Sequence, residues 1–249
     1  MVINRNTCMT ISSLRIFIIL LFAISCEKDH DNKSDSINYT PAAYELVIDV
    51  DGNEYQSIKI GSLFWMSENL RTTKYSDGSK IYHSQDISDW ISSGLNKEGA
   101  YSIFPKTEGL ITDIHRHNSK YGNLYNWYAV SDKRGLCPNG WHVPTNDDWI
   151  ALTRSLELVG DVGTLLKDRI FWGLSEDSSN DINFNAIPNG FRNEEGLFQK
   201  DGIYSAFWTS IPSGTETAVG YRLDIDRTSI GRGVGKRSLG LSIRCVKPF

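Results

Sequence analysis

Two cysteines constrain this chain more than any other feature. Cys137 stands in "GLCPNGWHVP" (135–144) and Cys245 in "SLGLSIRCV" (238–246), 108 positions later. In the second segment Leu239, Leu241, Ile243 and Cys245 alternate. They therefore share one face of an extended strand, and Cys245 points where the core residues point. A bridge between the two would close most of the second half of the chain into one loop. The chain-entropy model credits such a closure with roughly 4–5 kcal/mol. The competing reading is a nucleophile: Cys137 lies close to His142, and Asp147 and Asp148 follow. A reactive thiol needs a depressed pKa, and His142 is the one neighbour that offers it. The two acids have another explanation. Thr145 is a good helix N-cap with Asp148 three residues on, as in a capping box, and both acids fall where the helix dipole favours negative charge. Trp149, Leu152 and Leu156 then recur at helical spacing. The segment is expected to be a disulfide corner leading into a helix, with His142 as a packing residue.

A disulfide requires an oxidising compartment, and the N-terminus provides the route. Arg5 and Arg15 precede "IFIILLFAI" (16–24), an apolar run about half as long as a membrane span needs. It ends in Ser25-Cys26, which resembles the lipobox of bacterial lipoproteins. On that reading residues 1–25 are a signal peptide. Cys26 becomes the lipidated N-terminus, and its acyl chains attach the protein to a membrane. A plain secretory signal or an uncleaved anchor is the alternative. Residues 26–43, in which Cys26 is followed by "EKDHDNKSDS" (27–36) with no apolar residue, are expected to form a disordered tether. Lys28, Asp29 and Asp31 are similar to the acidic export signal of Bacteroidetes surface lipoproteins; a solvated linker explains them equally well.

From Tyr44 the chain reads as one folded domain, 44–249. Leu46, Ile48 and Val50 alternate, Asp51-Gly52 marks a turn, and Tyr55, Ile58 and Ile60 follow, which predicts a β-hairpin. Residues 71–120 are turn-rich and read as long loops. The aromatics of "YGNLYNWYAV" (121–130) read as core. A formal net charge of −4 with no basic block excludes nucleic acid as a partner. "GRGVGKRS" (231–238) lacks the spacing of a phosphate loop, and strands flank it, so it reads as a hairpin loop. His115 and His117 offer two of the four ligands that a structural zinc site needs. "SEDSSNDINFN" (175–185) gathers Glu176, Asp177, Asn180, Asp181 and Asn183, hard oxygen donors suited to calcium. A solvated turn is the other reading of that loop, and calcium is the one cofactor the residues point to.

"DGNEYQSIKIGSLFWMSENLRTTKYSDG", "YGNLYNWYAV", "LCPNGWHVPTNDDW", "FNAIPNGFRNEEGLF", "FWTS" and "LSIRCVKP" occur in this order. Together they resemble the Fibrobacter succinogenes major paralogous domain, abundant in lipoproteins of Bacteroidetes and Fibrobacteres. The resemblance runs from about residue 44 to the end. It implies an α+β, C-type lectin-like fold with short antiparallel strands, one or two helices and long loops, and an envelope location. It does not imply an activity. The calcium-binding sugar motifs of C-type lectins are absent: their positions hold Ile187-Pro188-Asn189 and Trp208-Thr209-Ser210, without the acids. The formylglycine-generating enzymes of the same superfamily use a cysteine pair near the C-terminus, where this chain has Cys245 alone.

In that superfamily, ligands meet the loops and the exposed strand face near the C-terminus. Here the region holds Trp208, Tyr221, Arg222, Asp224, Arg227, Arg232, Lys236 and Arg237. On "YRLDID", Arg222, Asp224 and Asp226 are expected to face solvent opposite Tyr221, Leu223 and Ile225. The sequence is thus read as a non-catalytic surface lipoprotein of the outer membrane that binds a glycan, peptide or protein. A structural or accessory subunit of an envelope assembly is the second reading and an enzyme the third.

Overall fold

A computed structural model of the chain describes residues 44–105, 121–175 and 182–249. Cys26, the tether, His115, His117, Glu176, Asp177, Asn180 and Asp181 lie outside the described residues.

The architecture is α+β, with three small sheets and four short helices among the described residues. In the first sheet β1 (Glu45–Ile48), β2 (Glu54–Ile60), β3 (Leu63–Met66) and β12 (Val246–Pro248) are all antiparallel. The first and last strands of the domain therefore share one sheet. The expected hairpin is β1–β2, and its alternating row of Leu46 and Ile48 faces outward. Leu46 and Ile48 are 58% and 54% exposed, whereas Val47 and Asp49 are buried. The turn decides this. The Asp49 carboxylate accepts from the backbone N–H groups of Asp51 and Asn53, each at 2.9 Å, and from the Tyr55 hydroxyl at 2.6 Å. Asp49 must face inward to make these bonds, and alternation then carries Val47 inward with it.

A second, three-stranded sheet consists of β4 (Tyr82–His83), β5 (Ala100–Ile103) and β6 (Asn123–Tyr125). Between β4 and β5 lies α1 (Ile87–Leu95), so residues 71–105 hold more regular structure than the expected loops. Helix α2 (Trp127–Val130) is a single turn capped by the Asn126 side chain.

Helix α3 (Asn146–Leu156) starts at the expected capping box, and Trp149, Leu152 and Leu156 are buried. The Trp149 ring meets Trp65 edge-on at 4.8 Å and stacks on Tyr221 at 4.9 Å. This places α3 between the first sheet and the third. Helix α4 (Val162–Leu166) packs into the same cluster.

The third sheet has the order β11-β10-β9-β7-β8, formed by β7 (Asn189–Arg192), β8 (Phe198–Asp201), β9 (Tyr204–Pro212), β10 (Thr217–Asp224) and β11 (Gly231–Lys236). The segment expected to be one closing strand is instead threaded between sheets. Gly240 bridges Arg192, Leu241 bridges Tyr125 and Ser242 bridges Phe207; regular pairing begins at Val246. Leu241, Ile243 and Cys245 point into the core as expected, but Ser242 and Arg244 on the opposite face are buried too. Cys245 is joined to Cys137 with a Cα–Cα distance of 5.9 Å.

Buried cations hold the irregular segments. Arg244 donates to Asn69 Oδ1 at 2.8 Å, Asn185 O at 3.0 Å, Met66 O at 3.3 Å and the Phe184 carbonyl. Arg192 donates to the carbonyls of Ser84, Gln85, Asp86 and Gly196. Lys167 donates to those of Asp224 and Arg227. Burial pushes the Arg244 guanidinium down to about 9 and that of Arg192 to about 10. Each cation satisfies carbonyls that no strand partner reaches.

Candidate functional site

The registers of β9, β10 and β11 build a groove. Trp208 lies opposite Gly220, Ala206 opposite Arg222 and Tyr204 opposite Asp224. Across the other edge of β10, Arg222 is opposite Gly231, Gly220 opposite Gly233 and Ala218 opposite Gly235. Residues paired in this way share a face, so β11 presents three glycines where a strand normally presents side chains. Residues 231–236 are therefore a strand and not the expected hairpin loop. Their glycines read as turn signals, but here they strip one face of bulk.

What occupies the stripped face is Arg222. A β-carbon on Gly231 would stand 3.1 Å from its Nε and 3.2 Å from its Cγ. The Arg222 Nε lies 3.2 Å from Asp224 Oδ2, but the angle is not that of a hydrogen bond, and this buried N–H has no acceptor. A cavity of about 140 Å³ opens beside it, walled by Phe191, Tyr204, Trp208, Leu239 and Leu241. Trp208 is wholly buried and fixed by its indole N–H, which donates to Tyr125 O at 2.9 Å. It forms a rigid floor. The site pairs a hydrophobic depression with one guanidinium at its rim, an arrangement suited to holding a ligand.

The other expected site residues are placed elsewhere. Tyr221 and Leu223 face α3 and are buried, while Ile225 at the end of their row is exposed. The Tyr221 hydroxyl donates to Asn146 Oδ1 at 3.0 Å, and Arg232 Nε donates to the same oxygen at 2.7 Å. Arg232 thus lies on the opposite face from Arg222. Lys236 pairs with Glu194 at 2.7 Å. Arg237 lies over the Trp127 ring at 4.4 Å and donates to Gly214 O at 2.8 Å. Arg227 stands 3.9 Å from the Asp224 carboxylate. Trp208 and Arg222 line the cavity, with Asp224 beside Arg222; Tyr221 borders it but turns its ring onto Trp149, and Arg232, Lys236 and Arg237 lie outside it. Phe191, Tyr204 and the glycines were not anticipated. The signal for the glycines was present as a period of two in "GRGVG".

At the corner, Cys137 is held in the disulfide, so no free thiol stands there. His142 is more exposed than a packing residue. Its Nε2 lies 3.2 Å from Asp148 Oδ2, an oxygen that also accepts from the Thr145 backbone N–H and hydroxyl. Asn183 adopts φ 56°, and its amide donates to the Tyr44 hydroxyl at 3.2 Å. Among the described residues, no group of three or more His, Cys, Asp or Glu side chains is gathered as a metal site.

The family model described as the Fibrobacter succinogenes major domain matches residues 58–247. No curated protein and no solved structure matches the chain. The family match takes in both bridged cysteines and every strand from β3 to β11, including the groove. The chain therefore belongs to the Fibrobacter succinogenes major domain family.

Proposed function

We propose that this chain is a non-catalytic binding module, C-type lectin-like in fold, attached to the outer membrane by a lipid on Cys26 and displayed at the cell surface. Its groove over β9, β10 and β11 receives a glycan, peptide or protein ligand. The observation that carries this reading is the strand face cleared of side chains beneath Arg222. Glycine weakens a strand interior; Gly231 and Gly235 leave room for the side chains of Arg222 and Leu239, and Gly233, where a β-carbon would meet only Arg222 Nη1 at 3.8 Å, keeps the groove open. The fold assignment is supported by the first and last strands sharing a sheet while long segments loop out between them. The reading needs no cofactor; a calcium ion on Glu176, Asp177, Asn180, Asp181 and Asn183 would be a separate addition, tested by a calcium-dependent rise in melting temperature.

The test is a combined glycan and envelope-protein array probed with wild type and Gly233→Leu. A β-carbon at Gly233 meets only Arg222 Nη1, at 3.8 Å, so the larger side chain can enter the groove without disturbing backbone. Signals that Gly233→Leu abolishes support the groove, and a blank array removes the reading. A second reading, an accessory subunit of an envelope assembly, draws on α1. Ile87, Ile91 and Leu95 are all exposed there, four residues apart along one side. Stable co-purification of an envelope protein that Leu95→Glu releases would favour it.

A further inference from the structure

A second cleft, distinct from the groove, lies between the β4–β5 edge and the loop that precedes β4. It encloses about 700 Å³, within the roughly 300–1,000 Å³ range of small-molecule sites. Its wall is aromatic. β4 and β5 run parallel with His83 opposite Tyr101, and the two rings stack at 4.8 Å with planes 16° apart. Tyr101 is buried and His83 exposed, so the outer face of the imidazole is presented to the cleft mouth. Tyr82, beside it, is also exposed.

The polar groups around these rings are of both signs. The Arg134 guanidinium is fixed over the Tyr75 ring at 3.8 Å by a two-pronged bond to Asp132 and a further one to Ser79. By contrast, no described residue hydrogen-bonds or ion-pairs with the Lys80 ammonium or the Glu98 carboxylate, although both line the cleft. The cleft therefore offers a free donor, a free acceptor and an imidazole that can be either, next to flat rings.

We propose that this cleft binds a neutral carbohydrate. A pyranose ring has a face of C–H groups that packs on an aromatic ring and a rim of hydroxyls, each able to donate and accept. An apolar ligand would leave Lys80 and Glu98 desolvated without partners. A polyanion would find only the Lys80 ammonium free, because Asp132 already takes the Arg134 guanidinium, and would meet the Glu98 carboxylate beside it.

The experiment is a neutral-glycan array probed with the wild-type protein, Tyr82→Ala, His83→Ala and Arg222→Ala, each checked by thermal melting. Tyr82 and His83 are surface residues, so their variants are expected to melt with the wild type. At least one neutral glycan should bind, weaken tenfold or more in both Tyr82→Ala and His83→Ala, and be unaffected in Arg222→Ala. No binding to any neutral glycan overturns the proposal. So does a bound glycan indifferent to both cleft variants. A loss confined to Arg222→Ala would also overturn it and assign the sugar to the groove.

Discussion

Arg222 lies across Gly231, so close that a β-carbon at 231 would stand 3.1 Å from its Nε and 3.2 Å from its Cγ. The two strands were paired so that the longest side chain on β10 faces the smallest residue on β11. Gly231→Ala should therefore force the Arg222 side chain to give by a few tenths of an ångström, while Gly233→Ala, two residues along, meets nothing closer than 3.8 Å. The expected result is a lower melting temperature for Gly231→Ala and a change of about 0.5 kcal/mol or less for Gly233→Ala. Equal effects of the two would mean that Arg222 does not depend on the gap.

The Cys137–Cys245 bridge spans 108 residues of sequence. Replacing either cysteine by serine should lower stability by roughly 4–5 kcal/mol on the chain-entropy model. Thermal melting measures this, and thiol labelling of the native protein should find neither cysteine reactive. Labelling of both would contradict the fold described above.

Arg244 satisfies an amide oxygen and three backbone carbonyls at once. Removing it leaves these acceptors buried and unpaired. Arg244→Met is expected to lose about 3–5 kcal/mol in urea denaturation. Arg244→Lys should recover little, because an ammonium cannot reproduce the planar fork.

Asp51 sets an acid limit. Partial burial raises its pKa, but bonds from Thr73, Lys74 and Thr72 outweigh this and hold the carboxyl below its ordinary 3.8. A carboxyl depressed in the folded state stabilises fully above the unfolded value, and the contribution is lost as pH falls through the folded one. Stability should thus decline as pH drops below about 4, and Asp51→Asn should shallow that decline. An unchanged slope in the variant would place the acid sensitivity elsewhere.

What was legible in the sequence was local or periodic. The capping box at Thr145 needs only residues three apart, and Cys245 followed from alternation with Leu241 and Ile243. The hairpin at 44–60 was legible as a hairpin, but its phase depends on where the Asp49 carboxylate turns, and hydrophobicity alone does not encode that. Helix α1 was missed because Ser92, Ser93 and Gly94 are weak helix formers and its buried residues are few. Arg192, Arg244 and Lys167 look like surface charges until their carbonyl partners are seen. The groove was half legible. The exposed row of Arg222 and Asp224 was expected from β10, but Arg232 belongs to the opposite face, and the role of the glycines depends on which strand they pair with.

That separation of Arg222 from Arg232 gives the most direct measurement. With a ligand identified on the array whose signal Gly233→Leu abolishes, its dissociation constant should be determined for wild type, Arg222→Ala and Arg232→Ala under identical salt. The groove account predicts a weakening of about tenfold or more for Arg222→Ala, the loss of one charged hydrogen bond, and less than about twofold for Arg232→Ala. Unchanged affinity in Arg222→Ala, or equal losses in both, would contradict it.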